Sequence, residues 1–238
     1  MTIPLQLLVL LDSRSPAGAH SHSGGMEAAV TAGYINTVED VQDFCHGRLY
    51  TAGRVAAGFA VAAFRAWRAG WTAGEWAMLD AELTARIPSA ATRAASRSLG
   101  SGLQRLLRAT VSSQPTELEQ ITQRFRQCPA PSPHQPLVLG AAAAMTGGTS
   151  QLAARAAALA ICTSPASAAV RILGLDPFAV HRVTAGLAAE IEVVADAVAT
   201  EFDQIGVADL AWLPSDSSPA LDLLADVHST QEVRLFAS

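Results

Sequence analysis

Lysine is absent from the 238 residues; all sixteen basic side chains are arginine. A Schiff-base lysine or a phosphate-loop lysine is therefore excluded within this chain. Aromatic residues are scarce at 5%, although half of the residues are apolar. Alanine must carry much of the burial, and it has the highest helix propensity and lets helices approach closely. The expected class is all-α. Cysteine is also sparse, and Cys45, Cys128 and Cys162 are odd in number and widely spaced. They form neither a zinc spacing nor a closed disulfide framework, and read as reduced thiols of a cytosolic protein.

Long apolar runs are missing as well. Val55 to Phe64 is bracketed by Arg54 and Arg65, and Leu137 to Cys162 is interrupted by Thr146-Gly147-Gly148 and Arg155, so neither reads as a membrane span. Leu5 to Leu11 lacks the basic flank of a signal peptide and is followed by Asp12 and Arg14. The chain is read as soluble and cytoplasmic. Catalytic signatures are wanting too: there is no His-Glu-x-x-His helix, no Gly-x-Ser-x-Gly elbow, no phosphate loop and no dinucleotide fingerprint. The expectation is a protein that is not an enzyme.

The net charge of −5 is unevenly spread. No acid lies between Glu82 and Glu117, where Arg86, Arg93, Arg97, Arg105 and Arg108 stand; beyond Asp176 acids dominate. An acidic chain without a dominant basic face is a poor nucleic-acid binder. The basic stretch suits an acidic protein surface.

Turn and cap signals divide the chain. Residues 12–27 form the densest run of small and turn-forming residues, a shaped loop with Ser21 and Ser23 as caps for a short helix stopped by Gly33. Thr37, followed by Glu39 and Asp40, opens a long helix to Ala69 and Gly70. Its apolar stripe is Leu49, Ala52, Ala56, Phe59, Ala60, Ala63, Phe64 and Trp67. Thr72 caps a helix that closes before Pro88. The next runs to about Ala109, with Arg93, Arg97 and Arg108 within about 60° on one face, either a solvated stripe or a partner surface. A polar helix at 117–127 precedes a proline-rich extended connector. Ser150 to Leu173 is helical, with Pro165 expected to kink or split it. Asp176-Pro177 starts a helix through Asp203 with the seam Val180, Val183, Leu187, Ile191, Val194 and Val198. The division expected is one helical domain, 1–227, of roughly eight to ten helices, and a flexible tail, 228–238, that binds a partner.

His20 and His22 are the tightest pair of metal-capable side chains. A closed site needs two further ligands, and Glu27 and His46 are conceivable. A small metal-dependent hydrolase using this loop is one alternative reading, and a helical ligand-sensing regulatory domain is another.

Five segments carry a resemblance. Pro16, Gly18, Ser21, Ser23, Gly25, Met26 and Glu27 match Pro-x-Gly-x-aromatic-Ser-x-Ser-x-Gly-apolar-Glu, with His20 and His22 where aromatics are usual. Arg97, Gly100 and Leu103 match Arg-x-x-Gly-x-x-Leu, and His134, with Gly140-Ala141 downstream, resembles a third segment. Ala168 to Arg171 resembles a fourth, whose arginine is either a buried bridge or a contact. His228, Arg234, Leu235, Phe236 and Ser238 match a terminal His-x5-Arg-Leu-Phe-x-Ser. The sequence thus resembles the urease accessory protein family UreF.

That resemblance implies an all-helical, non-catalytic scaffold for nickel insertion into urease. Its members dimerise and bind UreD, also called UreH; the complex recruits the GTPase UreG, which binds the GTP, and acts on apo-urease. No cofactor is stably held, the complex handles nickel, and neither nucleic acid nor membrane is a partner. The UreD/UreH side is implied at Pro16, Gly18, His20, Ser21, His22, Ser23, Gly25, Glu27, His228, Arg234, Leu235 and Phe236. The GTPase side is implied at Arg93, Arg97, Gly100 and Arg171, and transient nickel contact at His20 and His22.

Overall fold

Two threonines start helices by the same device. Thr37 Oγ1 accepts the amide of Asp40 while the Asp40 carboxylate accepts the Thr37 and Asn36 amides, and Thr72 with Glu75 repeats the capping box. The computed structural model describes residues 3–12, 17, 21–110, 115–129, 131–206, 208–231 and 235–236. Its helices are α1 (Leu5–Leu11), α2 (Met26–Thr31), α3 (Val38–Arg48), α4 (Arg54–Ala69), α5 (Ala73–Ala85), α6 (Ala90–Thr110), α7 (Pro115–Phe125), α8 (Gln135–Met145), α9 (Ser150–Leu173), α10 (Pro177–Gly186), α11 (Ala188–Asp203) and α12 (Pro219–Ser229). The described residues contain no strand, and the all-α single domain expected from composition is what they form.

The long helix expected from Thr37 to Gly70 is present, with one turn of π-helix, Leu49–Gly53, between α3 and α4. Rather than one apolar stripe, α4 has an unbroken buried run from Val55 to Ala63, with α8, α9 and α11 packed around it. Small side chains make this possible. A Cβ added at Gly140 of α8 would stand 2.2 Å from the Ala60 carbonyl oxygen and 2.9 Å from the Phe64 amide nitrogen, so these two helices meet backbone to backbone. On the far flank, Trp67, Trp76 and Phe125 pack edge to face and tilted, tying α7 to α4 and α5.

α9 bears on two expectations. It runs through Pro165 without splitting, and the proline ring is buried against Gly24. It is also long and apolar enough to cross a membrane by length and composition alone, with a mean hydropathy of 1.5. Here it is a core helix with α2, α3, α4, α8, α10 and α11 around it. The helix expected from Asp176 to Asp203 breaks at Leu187 into α10 and α11, yet its whole apolar seam is buried. α12 extends to Ser229, so the boundary drawn at 227/228 falls in its last turn.

Candidate functional site

α2 begins at Gly25, whose φ of 88° suits a residue without a Cβ; no side chain caps the helix there, so the caps expected from Ser21 and Ser23 are replaced by glycine. This start places Glu27 in the first turn and buries it to 6% exposure. Three donors converge on its carboxylate. Oε1 accepts the Leu235 amide at 2.7 Å, and Oε2 accepts the Phe236 amide at 3.0 Å and His228 Nε2 at 3.1 Å. His228 is itself buried at the end of α12, its Nδ1 3.0 Å from Gln231 Oε1. A carboxylate accepts several bonds at once, and bonds to a charged group are the stronger kind. Glu27 therefore fastens a segment more than 200 positions away in the chain.

Phe236 packs inside the protein, 5% exposed, with the Arg171 guanidinium carbon 4.6 Å from its ring centroid. Of the two roles open to Arg171, buried bridge or contact, the structure shows no buried bridge: Arg171 is exposed and lies over the terminal segment. Leu235 is 69% exposed. The two apolar terminal residues, both implied on the UreD/UreH side, thus differ: Phe236 is internal and Leu235 faces out. Three motif segments read separately in the sequence, around Glu27, Arg171 and His228, come together here. Pro16, Gly18, His20 and Arg234 lie outside the described residues.

His22 and Ser23 are buried beside this region, and neither is free of interactions. His46 pairs instead with Glu190 at 3.1 Å, and Glu27 is committed to the terminal segment. Among the described residues no three metal-capable side chains gather. With His20 outside the described residues, the His20–His22 pair stays an expectation.

Arg93, Arg97 and Gly100, three of the four residues implied on the GTPase side, sit elsewhere in the fold. Arg97, expected on a solvated or partner-facing stripe, is 12% exposed and pairs with fully buried Asp80 at 2.7 and 3.2 Å. It also donates to the Ser132 carbonyl and to Thr84 Oγ1. Gly100 is buried because the chain before α8 crosses it: an added Cβ would stand 2.1 Å from the Pro133 carbonyl oxygen. Arg93 donates to the carbonyls of Ile87 and Pro88, closing the turn between α5 and α6. The arginines at 93 and 97 thus hold α5, α6 and the connector together.

Asp80 is the residue that sequence reasoning missed. Its signal was available: it shares a face with Trp76, Leu79 and Leu83, all buried, and an acid on an apolar helical face demands a partner.

His134 completes this cluster, and its chemistry follows from hydrogen counting. The Thr84 hydroxyl spends its only proton on the Asp80 carbonyl, so it accepts from His134 Nε2 at 3.0 Å. The ring is therefore the neutral Nε2–H tautomer, and among the described residues the enclosed Nδ1 has no partner for a second proton. Burial, opposed by Asp80, pushes the pKa down from 6.5 to about 4. The unfolded chain binds this proton near 6.5 and the folded chain only near 4. Stability is therefore lost as pH falls through that window, by about 3 kcal/mol from this residue. Urea titrations should show a flatter decline between these limits for His134→Gln than for the native chain.

Comparison with known proteins places this geometry in context. The UreF family model matches residues 35–188. The "Urease accessory protein UreF" of a Mycobacterium species (strain JLS) is 39% identical, and that of Mycobacterium marinum 37%, each alignment covering all of both chains. The protein of the same name from Mycobacterium tuberculosis is 36% identical, again over the whole of both chains. These alignments include both the Glu27 loop and the terminal motif, which lie outside the span of the family model. The hydrolase and ligand-sensor alternatives give way to them: the chain belongs to the UreF family, accessory proteins of urease rather than enzymes.

Proposed function

We propose that this chain is the scaffold on which the urease-maturation complex is built in the cytoplasm. As a homodimer it binds UreD/UreH, and the joint surface recruits the nickel-carrying GTPase UreG to apo-urease. UreG binds the GTP, nickel is cargo, and no cofactor resides in this chain; His20 and His22 offer at most passing contact to the metal.

One observation carries the reading. Glu27 seats the terminal segment so that Phe236 is internal while Leu235 is displayed. Leu223 and Val227, one helical turn apart on α12, are also exposed. On α1, Leu5, Leu8 and Val9 are exposed while Leu7 and Leu10 are buried. Since α1 and α12 both pack on α6, these exposed apolar residues of α1 and α12 lie on elements that share a support. Exposed apolar area of this kind marks interaction surfaces.

The test is co-expression with UreD/UreH, read by size exclusion with mass detection. The native chain should give a two-to-two complex, and Leu235→Asp, which changes only an exposed side chain, should abolish or strongly weaken it. An intact complex with Leu235→Asp would remove the terminal segment from the interface.

A further inference from the structure

A cavity of about 160 Å³ lies under α12, between the Gly24-Gly25 turn, the π-helical turn, the start of α8 and the middle of α9. Its walls are largely apolar, with Val55, Leu99, Ile161 and Leu221 among them. For scale, a dry cavity of about 150 Å³ accepts a benzene molecule. Four charged residues reach it. Arg86 is paired with Glu82 and donates to the Leu210 carbonyl, and Asp216 is paired with Arg54. Asp222 has its charged form favoured by the nearby Ser89 backbone and, through space, by Arg48. Arg48 differs from these.

Arg48 is the last residue of α3, where the helix widens into the π turn, a distortion that often marks functional positions. Its guanidinium passes beside Gly24 and Gly25. It makes no hydrogen bond or ion pair with any described residue, and its Nε is fully enclosed without a partner. Its guanidinium carbon lies 5.8 Å from the Phe44 ring centroid. Asp222 attracts it through space but lies beyond ion-pair distance. Burial pulls the Arg48 pKa down, as expected of a cation short of solvation. A guanidinium is a planar fork of donors matched to a carboxylate. Half-buried at a largely apolar wall and unpaired among the described residues, it favours a ligand that brings an anionic head and an apolar body.

We propose that this cavity binds a small aliphatic carboxylate, its head on the Arg48 guanidinium and its short chain among the apolar walls. The ligand is a free small molecule of a few carbon atoms, and the site is separate from the Glu27 cluster.

The probe is 4,4,4-trifluorobutyrate, followed by ¹⁹F NMR with the full-length protein. Saturable binding in the millimolar range or tighter is expected, and the uncharged analogue 4,4,4-trifluorobutan-1-ol should bind far more weakly. Arg48→Gln should weaken trifluorobutyrate binding about ten- to a hundredfold, the loss expected of a charge-assisted hydrogen bond in an enclosed site. Ala225→Leu, which fills the cavity from the α12 side and leaves Arg48 in place, should abolish it. Circular dichroism melts confirm that each variant is folded, and the two variants fail independently. The proposal is overturned if the native chain shows no saturable binding, if the alcohol binds equally well, or if Arg48→Gln binds trifluorobutyrate as the native chain does.

Discussion

Replacing Arg97 by alanine lowers the unfolding free energy by about 3–5 kcal/mol, the cost of leaving a buried charge without its partner. Asp80 is wholly buried, and its carboxylate loses two of three protein donors, keeping the His134 amide at 3.1 Å. The Ser132 carbonyl loses its arginine donor in the same step. For a chain of this size the loss corresponds to a fall of about 10 °C in the melting midpoint. Replacing both partners by apolar residues, as in Asp80→Leu with Arg97→Met, should recover much of it, because neither charge is then stranded. An Arg97→Ala protein within about 1 kcal/mol of the native chain would mean that water reaches Asp80. A second readout is independent of the melt: Arg97 holds the His134 pKa down and Asp80 holds it up, so removing Arg97 should raise it. This prediction also governs how partner surfaces are sought. Charge reversal at Arg97 would weaken urease activation by unfolding the scaffold, whatever that residue touches.

Helix starts were the most legible part of the chain, because a cap is local chemistry. Thr37, Thr72 and Asp176 each accept the amide that their position requires. The seam from Val180 to Val198 was equally plain, since its period survives the break at Leu187. Contacts across the fold were hidden. A glycine such as Gly100 means close approach only once the Pro133 carbonyl is known to face it, and the alanine-rich α4 offers too little contrast to tell one buried face from several. Of the site, the motifs around Glu27 and His228 were both visible. Their union was not, because nothing local to either one encodes a contact across the whole chain. Arg97 was misread for the converse reason: the acid that claims it lies on another helix, seventeen positions away.

Replacing Glu27 by alanine should release the terminal segment without unfolding the domain. The Leu235 and Phe236 amides and His228 Nε2 lose one shared acceptor, and each bond to a charged group contributes about 1.5–3 kcal/mol. That energy holds a few residues at the end of the chain in place, so most of the loss should appear as local opening rather than as a lower midpoint. Amide exchange at Leu235 and Phe236 should accelerate at least a hundredfold while α4 and α9 stay protected. Glutamine is no conservative substitute here. Both carboxylate oxygens accept N–H groups, and whichever way an amide is turned its NH₂ would face a donor. Glu27→Gln should therefore behave nearly as Glu27→Ala does, and adding His228→Ala to either should change exchange little, since the two residues act on one contact. If the scaffold reading is right, the same variants should lose UreD/UreH binding and urease activation in parallel with the exchange rates. Fast exchange with full activation would show that partner binding itself supplies the order, and native-like exchange in Glu27→Gln would show that the carboxylate is not what fastens the segment.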